Sequence, residues 1–155
     1  MKLHKVSFFT VAALALSLTA CSAPGGSSPT STEDKAAKFA SDSLTGVSPA
    51  PAQSVDSAKW SGCSEETPGV HRFEYARSVR LQVSKADQQS IIDQVLASWK
   101  KSGYTVHAVD PGDPAIRDAD AKDPGWTLSL RIVDDTGMFL IVNSGCVHVS
   151  SDPKT

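Results

Sequence analysis

The sequence predicts an α+β fold, a two-layer sandwich of one mainly antiparallel, four-stranded sheet and one long helix. Three patterns predict it: an alternating run over 72–83, a helical period over 84–102, and a second alternating run over 126–133 followed by a return strand that continues irregularly from 138 to 149. Runs of strand around a single long helix favour an antiparallel sheet with the helix on one face. The predicted element order is β-α-β-β-β after a short N-terminal helix, and the order of strands within the sheet stays open.

The first strand shows period-two alternation, which is typical of a sheet with one buried and one solvated face. The apolar row is Phe73, Tyr75, Val79, Leu81 and Val83. The polar row is Arg72, Glu74, Ala76, Ser78, Arg80 and Gln82. Arg77 interrupts the apolar row, and two interpretations are open. Either the strand overhangs the core and Arg77 reaches solvent along its aliphatic stem, or its charge faces a ligand.

The sequence has capping signals at both ends of the predicted long helix. Ser84 is a good N-cap residue, and Asp87 three positions later resembles a capping box with Asp in place of Glu. Gly103 suits the position just past the last turn. Between them the apolar residues recur at the helical period, at Ile91, Ile92, Val95, Leu96 and Trp99. The resulting apolar stripe is expected to lie across the sheet.

The C-terminal half supplies the other three predicted strands. They are a short strand over 104–109, an alternating strand over 126–133 and a return strand from 138 to 149. The segment 134–137 ends in Gly and predicts a hairpin turn. The segment 110–125 is rich in Asp-Pro steps and predicts a long loop. Loops of that length are often functional or disordered, so this one is a candidate binding segment.

The first 21 residues carry an export pattern. Lys2 and Lys5 make a basic start, and the uncharged run over 6–20 is too short to span a bilayer but suits a secretory signal. That run ends in Leu18-Thr19-Ala20-Cys21, a branched apolar residue, two small residues and a cysteine. This box, at this position, resembles the lipobox of bacterial lipoproteins.

The resemblance implies a lipid anchor. In that family the cysteine thiol, here that of Cys21, receives a diacylglyceryl group and the signal 1–20 is removed. The two acyl chains would hold the protein stably on the extracytoplasmic side of the cell membrane. With its Ala-, Ser-, Pro- and Asp-rich composition, the whole chain resembles small exported lipoproteins of high-GC Gram-positive bacteria. This likeness implies a location and no activity.

The predicted domain organisation follows from composition. Residues 21–54 read as the lipidated cysteine, a flexible Gly/Ser/Pro tether and a short helix capped at Thr32. The compact α+β domain is expected over 55–150, and 151–155 form a polar tail. A length of 155 residues, less signal and tether, leaves room for one domain.

The cysteine count predicts one disulfide. The chain has three cysteines. With Cys21 lipidated, Cys63 and Cys146 are the remaining pair, and an even remainder in an exported protein indicates a disulfide. The bond would tie the loop before the first strand to the end of the last one.

Charge and motifs exclude several function classes. Loss of the signal removes two lysines and no acid, so the net charge goes from −2 to −4, which is unlike a nucleic-acid binder. The histidines His71, His107 and His148 lie on or beside separate strands without metal-ligand spacing. The chain has no Gly-x-Ser-x-Gly elbow, and its paired acids lie in turns. We therefore predict no metal, no cofactor and no catalytic residue.

The remaining pattern favours a non-catalytic binding or accessory module of the cell envelope, with a wall polymer or an envelope protein as its partner. The candidate surface consists of Arg72, Arg80 and Arg131 on the wet faces of two strands, together with Arg77. If the strands of Arg80 and Arg131 are neighbours, the two guanidinium groups offer planar donors to a carboxylate or phosphate. The alternatives are a small envelope hydrolase or modifying enzyme, and a subunit whose exposed sheet completes a larger complex.

Overall fold

The computed structural model describes residues 26–63 and 72–153, which form one open, six-stranded sheet with two helices. The signal, the lipobox with Cys21, and His71 lie outside the described residues. The elements in chain order are α1 (Pro29–Leu44), β1 (Ala52–Gly62), β2 (Arg72–Gln82), α2 (Lys85–Lys101), β3 (Thr105–Val106), β4 (Ile116–Asp120), β5 (Thr127–Asp134) and β6 (Gly137–His148).

The strands lie in the order β1-β2-β6-β5-β4-β3, and every neighbouring pair is antiparallel. The predicted α+β class and antiparallel sheet are confirmed. The predicted strand count was wrong, because the described residues form six strands rather than four. The predicted long helix and the N-terminal helix are both present, and the N-terminal one has 16 residues. Both helices pack on the same side of the sheet, which leaves the other side without a helical layer in this part of the chain.

The two missed strands are polar and lie toward the edges of the sheet. β1 pairs only with β2, and nearly all of its side chains are exposed, so no buried face imposes alternation on its sequence. β4 falls inside the predicted loop and buries only Ala119 of its five residues. Its partner β3 is two residues long, shorter than the strand predicted over 104–109.

The helix α1 begins earlier than predicted and belongs to the packed domain. Ser28 rather than Thr32 is the N-cap: its hydroxyl accepts from the Ser31 amide, and Pro29 opens the helix, a favoured arrangement. Ala36 and Ala40 of α1 are buried in the core. The compact unit therefore starts near residue 27, within the segment 21–54 that composition assigned to the tether.

The helix α2 fits its prediction closely and closes the core. Ser84 is its N-cap, and Gly103 just beyond it has a φ of +81°, a left-handed conformation that glycine adopts without strain. Trp99 is 1% exposed, and its indole N–H donates to the Ser43 hydroxyl of α1 at 2.8 Å. The two helices are thereby joined by a satisfied buried hydrogen bond. The sheet side of the same core is Tyr75, Val79, Leu81, Leu128, Leu130, Met138, Leu140 and Val142.

The structure places the two predicted partner cysteines at bonding distance. The Sγ atoms of Cys63 and Cys146 are 2.08 Å apart, and their Cα atoms are 6.2 Å apart. Cys63 follows β1 and its amide donates to the Arg72 carbonyl, while Cys146 on β6 aligns with Glu74 of β2. The bond therefore joins β1 to β6 across the start of β2.

Candidate binding surface

The sheet face opposite the helices, called here the open face, carries two of the four candidate arginines side by side. The strand registers align Arg80 of β2, Phe139 of β6 and Arg131 of β5, and we call these three residues the arginine row. The strands β2 and β5 are not neighbours, because β6 lies between them. Two strand spacings separate the arginine backbones by about 10 Å, and the half-buried Phe139 fills the gap.

Arg80 is held against the phenyl ring. Its guanidinium carbon lies 5.6 Å from the centroid of Phe139, within cation–π range. An Nη atom of Arg80 is 3.4 Å from the carboxylate of Asp134. Gly137 leaves the space for this arrangement, since a Cβ there would come within 3.1 Å of the guanidinium. Any larger residue at position 137 would push against the Arg80 side chain.

Hydrogen bonds stabilise the ionised form of the Asp134 carboxylate. The Thr136 hydroxyl and the Thr136 amide both donate to its carboxylate, at 2.8 and 2.7 Å. These hydrogen bonds, and then the nearby Arg80 guanidinium, hold the pKa of Asp134 below its ordinary value. The carboxylate is therefore ionised at neutral pH and orients one end of the arginine row.

Arg131 has a looser partner. Its Nη atom lies 3.9 Å from the Asp113 carboxylate in the loop before β4, and both side chains are about half exposed. Exposed ion pairs of this kind contribute little free energy, so an incoming acid can replace Asp113 at small cost. The two flanks of the row therefore differ, with Arg80 fixed and Arg131 exchangeable.

The other two candidate arginines lie elsewhere. Arg72 shares the open face but aligns with His148, at the opposite end of β2 from Arg80. Arg77 lies on the helix-covered face, between the buried Tyr75 and Val79. The four predicted arginines thus lie in three separate places. Only the arginine row brings two of them together.

A histidine–carboxylate pair appears at the far edge of the open face and was missed by sequence reasoning. His107 Nε2 lies 3.0 Å from Asp120 Oδ2, and both line a shallow depression of about 360 Å³ with Asp118 and Ser129. The pair was hidden because Asp120 fell in a predicted loop rather than in β4. The Ser129 hydroxyl donates to Asp118 and not to His107, so no nucleophile is hydrogen-bonded to the imidazole among the described residues.

The described ranges contain neither a metal-ligand cluster nor a membrane-spanning helix. Residues 26–63 and 72–153 contain no group of three or more His, Cys, Asp or Glu side chains placed to hold a metal ion. Neither of the helices in that part of the chain has the length and apolarity that a membrane span requires. His148 lies on β6, well separated along the sheet order from His107.

Comparison with known proteins identifies no relative. The chain matches no family model, no curated protein sequence and no solved structure. Function is therefore argued from the geometry above and from the N-terminal export pattern.

Proposed function

We propose that the protein is a membrane-anchored extracytoplasmic lipoprotein whose domain is a non-catalytic binding module of the cell envelope. The observation that carries the binding role is the arginine row, two guanidinium groups flanking a half-buried phenyl ring on a sheet face that neither helix covers. Guanidinium forks suit carboxylates and phosphates. The proposed partner is an acidic polymer of the cell wall, which carries such groups at intervals.

The position of the domain start supports this arrangement. Ser27 forms a β-bridge with Val149, so the folded unit begins six residues after Cys21. Six residues span at most about 20 Å, which would hold this end of the domain near a lipid on Cys21. Arg80 lies eight residues along β2 from Arg72, about 27 Å away. Because Arg72 aligns with His148 beside that bridge, the arginine row would point away from the bilayer, toward the wall.

Lipidation is tested by mass spectrometry of the mature N-terminal peptide. We expect diacylglyceryl-modified Cys21 as the first residue, and release of the protein from the membrane in Cys21→Ala. An unmodified N-terminus elsewhere, or a Cys21→Ala protein that still sediments with membranes, would contradict the anchor. The result is independent of the binding role, which has its own test.

Binding is tested by cosedimentation of the purified mature protein with wall sacculi, before and after phosphate-containing polymers are stripped with hydrofluoric acid. The double variant Arg80→Glu/Arg131→Glu is expected to lose at least ten-fold in affinity. The control Lys101→Glu/Lys122→Glu makes the same charge change at exposed residues off the arginine row and should bind normally. Equal binding by both double variants would show that the row is not the binding surface. Loss of binding after the phosphate-containing polymers are removed would show that the ligand group is phosphate rather than carboxylate.

The second candidate function, a small envelope hydrolase, rests on one observation: the His107–Asp120 pair at 3.0 Å. A carboxylate-oriented imidazole is the arrangement of a general base. Turnover of a wall-derived or ester substrate that is lost in both His107→Ala and Asp120→Asn would favour this function. Retained turnover in His107→Ala, with loss in Arg80→Glu/Arg131→Glu, would assign any activity to the arginine row instead.

A further inference from the structure

Arg77 occupies an unusual position on the helix-covered side of the sheet. It lies between Tyr75 and Val79, which are 3% and 5% exposed, and its partner across β6 is the fully buried Val142. The strand does not overhang the core at this point, because Val79 and Leu81 beyond it are buried too. The side chain of Arg77 is therefore partly buried between the sheet and α1, and its Nε is out of contact with solvent.

The guanidinium of Arg77 has no protein partner among the described residues. Its Nε is buried without a hydrogen bond, and the side chain makes no ion pair with any residue of the described ranges. Arg80 and Arg131, by contrast, each face a carboxylate. A buried donor left unsatisfied costs free energy, and native structures seldom retain one without a functional or hydration role.

A groove opens beside this side chain. It has a volume of about 140 Å³ and lies between α1 and the edge strand β1. Its lining is Ala37, Ala40, Ser41, Gln53, Ser54, Val55, Arg77 and Val79. The β1 side is loosened by a bulge between Val55 and Ser57, and Val55 is 53% exposed although it points to the helix side of the sheet. The groove thus has small apolar walls, a few hydroxyl and amide groups, and one unpaired cation.

We propose that this groove binds a small monocarboxylate with a short apolar substituent, such as the C-terminal residue of a short peptide, through Arg77. A single guanidinium neutralises one negative charge and presents two parallel N–H donors to one carboxylate. The walls of Ala37, Ala40 and Val79 accept a methyl-sized group rather than a ring. The site lies on the opposite face from the arginine row and does not depend on the function proposed for it.

The volume agrees with that ligand class. A site of about 140 Å³ corresponds to the liquid volume of about five water molecules. That space accommodates a carboxylate and a short alkyl group. The lining residues within 26–63 and 72–153 include no carboxylate side chain, so no acid of these ranges competes for Arg77 in the groove.

The test is an NMR titration of the full mature protein with N-acetylalanine, following the side-chain Nε–Hε resonance of Arg77. The neutral amide of the same compound and inorganic phosphate are the comparison probes. N-acetylalanine is expected to shift the resonance saturably, and the amide is expected to leave it in place. Because binding of this size is weak, the titration runs to well above 1 mM, the range of a dissociation free energy near 4 kcal/mol.

Two variants separate the ligand site from a structural role. Arg77→Met removes the cation and should weaken binding at least ten-fold, as monitored on neighbouring amides of β1 and α1. Ala37→Leu keeps the cation but fills the groove from the half-exposed side of α1, and it should abolish the Arg77 shift in a folded protein. The matched control Arg117→Met removes the other arginine of the helix-covered face, which does not line the groove, and should bind normally. Absence of a saturable shift, binding unchanged in Ala37→Leu, or equal affinity for the neutral amide or for phosphate would each overturn the proposal.

Discussion

The two faces of the sheet differ in the kind of residue that departs from the general character of the face. The helix-covered face is mainly apolar and carries two arginines, Arg77 and Arg117, of which Arg117 donates to the Ile116 carbonyl and Arg77 has no partner among the described residues. The open face is polar and contains one large half-buried ring, Phe139, between two arginines that do have partners. Arg77 and Phe139 are therefore exceptions on their respective faces.

Such exceptions are where binding sites are expected. Local rules of patterning are broken in natural proteins mainly at functional sites, because the cost must be offset by something outside the fold. On the covered face the cost is an unsatisfied donor, which a ligand can relieve. On the open face it is the partly exposed ring of Phe139, which a ligand can cover. The comparison predicts different consequences for mutations on the two faces.

The largest expected effect is on the disulfide that joins β1 to β6 across the start of β2. The Cys63–Cys146 disulfide closes a loop of 83 residues, and the chain-entropy relation assigns such a loop about 4 kcal/mol of unfolding free energy. Cys63→Ala/Cys146→Ala should lower stability by about that amount, measured by urea denaturation of the oxidised protein. Two titratable thiols in the native wild type, or an unchanged midpoint after reduction, would contradict it.

The next effect contrasts two neighbouring residues of β6 that face opposite ways. Leu140 is 0% exposed on the covered face, so Leu140→Ala should cost about 3 kcal/mol of stability through lost burial and a residual cavity. Phe139→Ala on the open face should cost less, about 1 kcal/mol, because that ring is only partly buried. The second variant should nevertheless lose sacculus binding. Equal destabilisation by the two variants would mean that the open face is covered after all.

A smaller effect compares the unpaired arginine with a paired one. Arg77→Met replaces an unsatisfied buried donor by an apolar chain of similar length, so the free energy of unfolding should stay constant or rise. Arg80→Met removes an exposed ion pair and a ring contact, and should lower it by about 0.5 kcal/mol. Thermal denaturation of both variants without ligand measures the difference. A marked loss of stability in Arg77→Met would assign Arg77 a structural role.

The sequence predicts those parts of the fold whose residues are buried on one side. The helix over 84–102 and the strand over 72–83 differ from α2 and β2 by one residue or so at their ends, because burial imposes a period on each. β1 and β4 stay hidden, since their strand character comes from hydrogen bonds to β2 and β5 rather than from their own side chains. The α1 start was missed because Ser28-Pro29 lies in a run that composition assigns to a tether.

The candidate sites show the same division. Alternation alone places Arg80 on the wet face and marks Arg77 as an exception within the apolar row. The role of Phe139 depends on β6 lying between β2 and β5, and strand order is a long-range property that periodicity does not encode. The His107–Asp120 pair likewise requires the β3–β4 pairing. The sequence therefore predicts which residues share a face of the sheet, whereas the strand order determines which of them are neighbours.

The smallest expected effect concerns the acid that orients Arg80. Hydrogen bonds from Thr136, and then the charge of Arg80, lower the pKa of Asp134 from its ordinary value of 3.8. A carboxyl whose folded pKa is depressed contributes stability that is complete above the unfolded pKa and is lost as pH falls through the folded one. The difference in unfolding free energy between wild type and Asp134→Asn should thus be constant at neutral pH and shrink below about pH 4. Thr136→Ala removes the Thr136 hydroxyl, the largest cause of the shift, and should move this loss to higher pH. A difference that stays constant down to strongly acid pH would show that Asp134 does not anchor Arg80, and the fixed flank of the arginine row would then be as exchangeable as Arg131.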